Sequence, residues 1–176
     1  APKSLEYTGA SADGWLGTSF SPDYAEAHLA HVREGARAAG RSIEEIELHV
    51  ACPVAIGERV EQMIDARRYG VAFSMGAMGS RTTNFYNDAL QRAGFMDDAK
   101  AIQKLWLAGK RDQATKRVPD DMVTKYGAIG TPEMVLERFR LYRDVGVASL
   151  TLRLDVEDEK EKIGLLEQII DLLNHL

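Results

Sequence analysis

Apolar residues recur along this chain with two periods, one typical of β-strands and one typical of α-helices. The strand period is clearest over Ile46–Ile56, where two sets of alternating residues define two faces. One set is Leu48, Val50, Cys52, Val54 and Ile56, and the other is His49, Ala51, Pro53 and Ala55. Both sets are mostly apolar, which predicts a strand buried on both sides of a parallel sheet. Shorter strands are predicted over Gly14–Ser19 and Ser149–Asp155.

Helical periodicity and helix-start residues predict the elements between these strands. Ser21-Pro22-Asp23 and Thr131-Pro132-Glu133 both have the composition of a helix start, and the first of these helices should run to about Ala39 and stop at Gly40. Further helices are predicted over the first dozen residues, over Glu58–Tyr69 and from Glu159 to Leu176. The last of these carries two apolar stripes, which predicts packing on the sheet and on neighbouring helices together.

The stretch 76–127 has a different pattern from the rest of the chain. Four short helices are predicted in it, punctuated by Gly94, Gly109 and Pro119, and they indicate a helical insertion. They are Asn84–Ala93, Asp97–Ala108, Lys110–Lys116 and Asp120–Lys125. The preceding Val71–Met75 has the propensity of a strand.

Strands that alternate with helices indicate an α/β fold with parallel strands and right-handed crossovers. Only three strands are predicted, whereas a closed (β/α)8 barrel has eight and typically about 250 residues. The pattern therefore leaves a small open α/β domain or part of a barrel.

Composition narrows the function classes. The chain has 176 residues, a net charge of −5 and one cysteine, which argues against general nucleic-acid binding and excludes an intramolecular disulfide. No apolar run approaches the roughly 18 residues that span a bilayer, and the first nine residues lack the apolar region of a signal peptide. We expect a cytoplasmic protein with neither a membrane partner nor a nucleic-acid partner.

Few residues suggest chemistry by themselves. Arg153 points away from the leucines of its strand and needs an anionic partner, either a ligand phosphate or carboxylate or a protein carboxylate such as Asp155 or Asp13. The helix start at Ala1–Ser4 is a weak anion site. Ser74–Arg81 lacks the spacing of a phosphate-binding loop and is interpreted as a flexible loop with two packed methionines.

The histidines and the cysteine have structural interpretations. His28 and His31, three residues apart, are expected on an exposed polar helix face rather than at a metal site, because no third ligand is evident. His49 is expected to be a hydrogen-bonded residue at the core edge, and Cys52 an inert buried thiol.

Several motifs, in order, resemble the bacterial luciferase-like family of flavin- and deazaflavin-dependent oxidoreductases, which are built on a TIM barrel. They are Pro2-Lys3-Ser4-Leu5-Glu6, Ala12-Asp13-Gly14-Trp15, Gly76-Ala77-Met78-Gly79-Ser80 with Asn84-Phe85-Tyr86-Asn87, Val118-Pro119-Asp120, and Gly130-Thr131-Pro132-Glu133 with Gly146-Val147. The resemblance aligns residues 1–176 with the C-terminal half of the barrel, as a single partial domain with an insertion before the last strand. The chain would then be either a fragment or a natural half-barrel.

The resemblance implies hydride transfer between coenzyme F420 and an organic substrate. It places the cofactor against Ala1, Pro2, Lys3 and Ser4 and against Gly17, Thr18 and Ser19, and it places Arg153 inside the barrel near the substrate. It identifies no proton donor, and the isolated chain is expected to be inactive and to self-associate or pair with a missing barrel half. The alternatives are an FMN-dependent monooxygenase of the same fold and a non-catalytic half-barrel that serves as a binding or assembly module.

Overall fold

The computed structural model describes residues 2–80 and 82–176 of the chain. These residues form four β-strands and nine α-helices. The strands are β1 (Gly14–Gly17), β2 (Glu47–Ile56), β3 (Ala128–Gly130) and β4 (Val147–Leu154). The helices are α1 (Pro2–Ser11), α2 (Glu26–Ala38), α3 (Val60–Gly76), α4 (Phe85–Leu90), α5 (Met96–Leu107), α6 (Arg111–Lys116), α7 (Asp121–Thr124), α8 (Pro132–Asp144) and α9 (Glu159–Leu173).

The strands form one parallel sheet centred on β2. Val50 is in register with both Gly17 of β1 and Leu150 of β4, so these two strands flank β2 on opposite sides. β3 pairs with the same edge of β2 as β1 does, but further along that strand, in register with Val54–Ile56. Within the described residues, β1, β3 and β4 each pair with β2 alone, and their other edges have no strand partner. The prediction of a parallel α/β fold is confirmed.

One face of the sheet is the main core of the molecule. Leu48, Val50, Cys52 and Val54 of β2 are buried there, as the alternating pattern predicts. They pack against α2, α8 and α9 through buried side chains, namely Leu29, Val32, Val135, Phe139, Tyr142 and Ile169. The second face of β2 is only half-buried, so the expectation of burial on both sides is wrong for this chain.

Helices α1 and α2 cross in close contact because two glycines face each other's backbone. A Cβ on Gly9 would lie 2.0 Å from the carbonyl oxygen of Val32, and one on Gly35 would lie 1.8 Å from that of Glu6. Both distances are far below a van der Waals contact, so only glycine fits at these crossing points. This contact fixes α1 against α2.

A second apolar cluster holds the helices between β2 and β3 together. Its buried members come from α3, α4, α5, α6 and α7 and from β3, and they include Ala72, Met75, Ile102, Trp106, Met122 and Ile129. The predicted succession of short helices is present in this segment, with Gly94 at φ +94° between α4 and α5. Whether the segment is an insertion relative to a barrel remains a prediction.

Several elements differ from the prediction, and β1 ends at Gly17 rather than at Ser19. α3 continues through Gly70 to Gly76, so Val71–Met75 is helical rather than extended. A single exposed glycine costs a helix only about 1 kcal/mol, and the buried contacts of Ala72 and Met75 outweigh that cost. β3 was not predicted, and β4 begins two residues earlier than expected.

The other helix starts are close to those predicted. Thr131 caps α8, and Gly146 follows that helix with φ +87°. Ser21 precedes a short 3₁₀ turn over Pro22–Tyr24 instead of capping α2 directly, and its hydroxyl donates to the Asp23 carboxylate at 3.2 Å.

Only one apolar stripe of α9 is buried, although both were expected to pack. Ile169 is 1% exposed, whereas the adjacent Ile170 is 58% exposed. Ile163, Leu166 and Leu173 are exposed on the same side as Ile170. None of the described helices is both long and apolar enough to cross a membrane.

Candidate functional site

A cleft of about 460 Å³ opens at the carboxyl ends of the four strands. Thr18 and Ser19 follow β1, Pro53 lies near the end of β2, Ile129 belongs to β3, and Arg153 lies near the end of β4. The carboxyl ends of parallel strands meet at one edge of a sheet, where ligands bind in α/β folds. The cleft therefore brings together three of the residues predicted to bind ligands: Thr18, Ser19 and Arg153.

The outer wall of the cleft comes from the helical segment between β2 and β3. This wall is mostly apolar and is rich in methionine and aromatic residues: Val71, Phe73, Met75, Met78, Tyr86, Leu90, Met122, Val123 and Tyr126. Methionine adapts to ligands of irregular shape, and aromatic rings offer flat apolar surfaces. The cleft is thus suited to a ligand with a substantial apolar part.

Two buried asparagines hold this wall in place. Asn84 caps α4 by accepting from the backbone N–H groups of Tyr86 and Asn87, each at 3.1 Å. Its amide nitrogen donates to the carbonyl oxygen of Met75 at 2.8 Å. Asn87 donates to the same carbonyl at 3.1 Å and to that of Ala99 at 2.8 Å. Met75 is therefore not in a flexible loop, as Ser74–Arg81 was interpreted, but ends a helix tied to α4; Arg81 lies outside the described residues.

The segment after β1 has a strained backbone next to the cleft. Ser19 adopts φ +52°, the only positive φ of a non-glycine residue in the described chain. Such a conformation costs free energy and is concentrated at functional sites. Gly17 is buried just before it, and a Cβ at Gly17 would lie 2.7 Å from the Trp15 ring. Gly17 thus shapes the backbone next to the cleft but is not among the residues that line it.

The charged residues that line the cleft are Arg67, Arg153 and Asp155. A terminal nitrogen of Arg67 on α3 lies 2.9 Å from a carboxylate oxygen of Asp155. Among the described residues, no carboxylate oxygen lies within 4 Å of the exposed Arg153 guanidinium. The expected alternative, in which Arg153 pairs with Asp155 or Asp13, is therefore wrong. Sequence reasoning missed Arg67, because nothing in the local pattern of α3 separates it from the other charges of that helix.

Tyr126 closes one side of the cleft as a neutral hydroxyl. Burial raises the pKa of Tyr126, and the nearby Tyr24 and Asp23 add to that effect. The rings of Tyr126 and Tyr24 stack with centroids 6.3 Å apart. A tyrosine whose pKa is raised keeps its proton across the physiological range and can donate it in a hydrogen bond.

Below the cleft, His49 lies on the half-buried face of the sheet. Its Nδ1 is 2.7 Å from the Ser149 hydroxyl oxygen, and its Nε2 is 2.6 Å from that of Thr151. Both ring nitrogens are thus satisfied, which confirms the interpretation of His49 as a hydrogen-bonded residue at the core edge. His49 is not among the residues that line the cleft.

Cys52 and the two helical histidines lie away from the cleft. Burial raises the pKa of the Cys52 thiol to about 11, so this cysteine is inert, as predicted. His28 is not on an exposed face, as was expected, but packs on the rings of Trp15 and Phe20, 5.5 and 5.9 Å away. Its pKa falls to about 4, chiefly because burial disfavours the charged form. The described residues contain no group of three or more potential metal ligands.

The predicted site at the chain start is separate from the lining of this cleft. Ala1 lies outside the described residues. Pro2, Lys3 and Ser4 form the first turn of α1, where Lys3 and Ser4 are exposed and Ser4 accepts a hydrogen bond from the Thr8 hydroxyl at 2.9 Å. None of the three lines the cleft. Their binding of a cofactor therefore stays a prediction.

Comparison with protein families identifies the chain. Residues 1–149 match the luciferase-like monooxygenase family. The chain belongs to that family. The resemblance inferred from the sequence motifs is therefore confirmed.

Two curated relatives have names that refer to coenzyme F420 or to methanopterin chemistry. A Mycobacterium tuberculosis protein, provisionally named a coenzyme F420-dependent oxidoreductase, is 27% identical over 86% of this chain and 44% of its own length. The 5,10-methylenetetrahydromethanopterin reductase of Methanopyrus kandleri is 30% identical over 92% of this chain and 44% of its own length. The chain thus spans less than half the length of these relatives.

Solved structures support the fold. The coenzyme F420-dependent tetrahydromethanopterin reductase of Methanopyrus kandleri superposes with a TM-score of 0.69 and 24% identity, covering 94% of this chain and 46% of that one. An F420-dependent secondary alcohol dehydrogenase, solved with an F420–acetone adduct, gives a TM-score of 0.65 and 15% identity over 97% of this chain. The α/β fold with a parallel sheet is similar to that of these enzymes.

Proposed function

We propose that this chain is part of an oxidoreductase that transfers a hydride between coenzyme F420 and an organic substrate. The observation that carries this proposal is the cleft at the carboxyl ends of the strands, which Thr18, Ser19 and Arg153 line together in a member of a family with F420-dependent relatives. When bound, the deazaflavin supplies the hydride-carrying ring, and the protein supplies orientation and electrostatics.

The cleft residues fit such a cofactor and substrate in kind. The aromatic and methionine side chains offer the apolar surface that a flat ring requires and exclude water from it. The hydroxyls of Thr18 and Ser19 can donate hydrogen bonds to the cofactor, and Arg153 can hold a substrate oxyanion. In the proposed enzyme, Ala1, Lys3 and Ser4 at the chain start hold the cofactor phosphate through backbone N–H groups, and Pro2 contributes none.

Two measurements test whether the protein binds F420 and where the cofactor phosphate is held. We expect the fluorescence of F420 to change on titration with the purified protein, and FMN to bind less tightly. The combined variant Lys3→Ala and Ser4→Ala should weaken F420 binding by about 1–3 kcal/mol, the scale of lost charge-assisted contacts. Unchanged affinity in this variant would remove Lys3 and Ser4 from the phosphate site. FMN binding accompanied by oxygen consumption would instead favour the monooxygenase of the same fold.

The exposed apolar stripe of α9 supports a second part of this proposal, which is that a further segment packs against this chain in the active enzyme. Ile163, Leu166, Ile170 and Leu173 form an exposed apolar face, and in the described part of the chain β1, β3 and β4 pair with no strand other than β2. The chain covers 44–46% of its relatives. We infer that a further βα segment of barrel type covers these surfaces in the active enzyme, because free strand edges and apolar faces favour association.

Sedimentation of residues 1–176 tests this addition. We expect self-association or a complex with a complementary barrel segment, and no catalysis by the chain alone. A monodisperse monomer near the chain mass of 19.5 kDa would contradict the inference. A stable complex that binds no F420 would favour the alternative function, a non-catalytic assembly module.

A further inference from the structure

Two arginines and one aspartate carry all the formal charge of the cleft lining. Arg67 and Asp155 form an ion pair, and Arg153 remains without a carboxylate among the described residues. The net charge of the lining is therefore +1, in a cleft whose other residues are apolar or neutral. Such a lining matches a ligand with an apolar body and one negatively charged group.

The position of Asp155 makes the absence of an Arg153–Asp155 pair informative. Arg153 lies in β4 and Asp155 directly follows the last residue of that strand, and both residues line the same cleft. Oppositely charged neighbours at this spacing are expected to interact. Asp155 instead contacts Arg67, whose terminal nitrogen is 2.9 Å from the carboxylate oxygen.

Arg67 is well placed to keep Asp155 in this arrangement. Its side chain is only 16% exposed, and its other terminal nitrogen donates to the carbonyl oxygen of Met63 at 3.2 Å on the same helix. This guanidinium is mostly removed from water, so leaving it without a carboxylate is costly, which favours its pair with Asp155. Arg153 is more exposed and has no such competing tie among the described residues.

We propose that Arg67 is a positioning residue that holds Asp155 away from Arg153, and so keeps the Arg153 guanidinium available to an anionic organic substrate. The substrate class is a carboxylate or phosphate monoester attached to an apolar body, because a guanidinium binds both groups through paired N–H donors. This inference rests on the proposed function for the identity of the site as a substrate site, but the ion-pair exchange itself does not require F420.

The exchange makes a prediction that an ordinary structural ion pair does not make. In Arg67→Gln, the Asp155 carboxylate loses its partner and turns to Arg153, where it competes with the ligand. In the double variant Arg67→Gln with Asp155→Asn, no carboxylate remains to compete, and Arg153 is available again. Loss of anion binding in Arg67→Gln and its recovery in the double variant therefore distinguish a positioning role of Arg67 from a role in the stability of the fold alone.

Calorimetric titration of the purified protein with phenylacetate, phenyl phosphate and neutral phenylacetamide tests this. We expect Arg67→Gln to weaken both anions about tenfold and to leave phenylacetamide unchanged, since about 1.4 kcal/mol corresponds to tenfold in affinity. The double variant should return within about twofold of the wild type. Arg153→Gln should abolish the preference for anions in every background.

Two controls guard against unfolding. Arg68→Gln removes the same charge from the next position of α3 and breaks that residue's pairs with Asp65 and Asp120, which do not line the cleft. We expect it to leave anion binding unchanged. Asp155→Asn alone takes the partner carboxylate from Arg67 but leaves none that could turn to Arg153, so weaker anion binding in this variant would contradict the proposal even if Arg67→Gln does not fold.

Three outcomes would overturn the inference. Equal weakening of anions and phenylacetamide in Arg67→Gln would make the pair purely structural, and failure of the double variant to recover would exclude Asp155 as the competitor. If F420 displaces phenyl phosphate and Arg153→Gln loses F420 binding, the oxyanion belongs to the cofactor rather than the substrate. If F420 does not bind while the anion pattern holds, the proposed function fails and the ion-pair exchange stands.

Discussion

The two faces of the sheet use the same four strands for different purposes. On one face, Leu48, Val50, Cys52 and Val54 are buried beneath helices and are almost without polar contacts. The other face is only partly buried and extends to the cleft. It carries the polar side chains of His49, Ser149, Thr151 and Arg153. One alternating strand thus supplies both stability and a candidate site, and the side on which a residue falls determines which of the two a substitution affects.

The largest expected effect comes from a matched pair of leucines on these two faces. Leu48 is 4% exposed on the buried face, whereas Leu16 of β1 is 79% exposed and in register with His49 on the other. We expect Leu48→Ala to lower the free energy of unfolding by about 2–5 kcal/mol. Leu16→Ala should change it by less than about 0.5 kcal/mol in residues 1–176 alone. Urea denaturation followed by circular dichroism measures both.

The Leu16 result also reports on the proposed barrel completion. If a complementary βα segment covers the open face, Leu16→Ala should become costly in the complex while Leu48→Ala stays as costly as before. Equal costs for the two substitutions in the isolated chain would contradict the difference in burial between the faces.

A second prediction concerns His28, which packs with Trp15 on the buried side. The pKa of His28 is about 4 in the folded chain against an ordinary value of 6.5, so the unfolded state binds more protons between these values. Stability from this group is complete above pH 6.5 and falls as pH decreases towards 4, by up to about 3 kcal/mol. His28→Phe should remove most of this dependence in denaturation curves measured across that range.

The matched control is His175→Phe, at an exposed position outside the aromatic cluster. It removes one histidine from the chain without changing the contacts of Trp15. An equal flattening in both variants would show that the histidine count, rather than the burial of His28, sets the slope.

The contrast between the faces was partly predictable. The alternation of Ile46–Ile56 is regular enough to predict the strand, because a period of two has no helical interpretation at that length. It also predicted burial of the second face, which is only half-buried. β3 was missed because Ala128–Gly130 is too short to show a pattern, and its extended form depends on its register with Val54–Ile56. The prediction that the stripe of Ile170 is buried was wrong, because periodicity identifies an apolar face but not the element that packs against it.

The candidate site was predictable only where chemistry and strand position coincided. Thr18, Ser19 and Arg153 lie at strand ends, and the family resemblance pointed to two of these segments before the structure brought them together. Arg67 lies on a helix with many charges, and only its distance to Asp155 sets it apart. Asn84 likewise holds the wall of the cleft by donating to the Met75 carbonyl oxygen, and no local sequence pattern predicts that contact.

A smaller effect than that of Leu48→Ala is expected on the open face, at His49. Its ring nitrogens contact the Ser149 and Thr151 hydroxyls, but Thr151 is exposed and water can replace the histidine. We therefore expect His49→Ala to cost about 1 kcal/mol of unfolding free energy, well below Leu48→Ala. Thr151→Val keeps the β-branched shape, and a double-mutant cycle with His49→Ala isolates the contact between the two side chains. A cost as large as that of Leu48→Ala would mean that this face is as buried in solution as the other, and the division of labour between the faces would not hold.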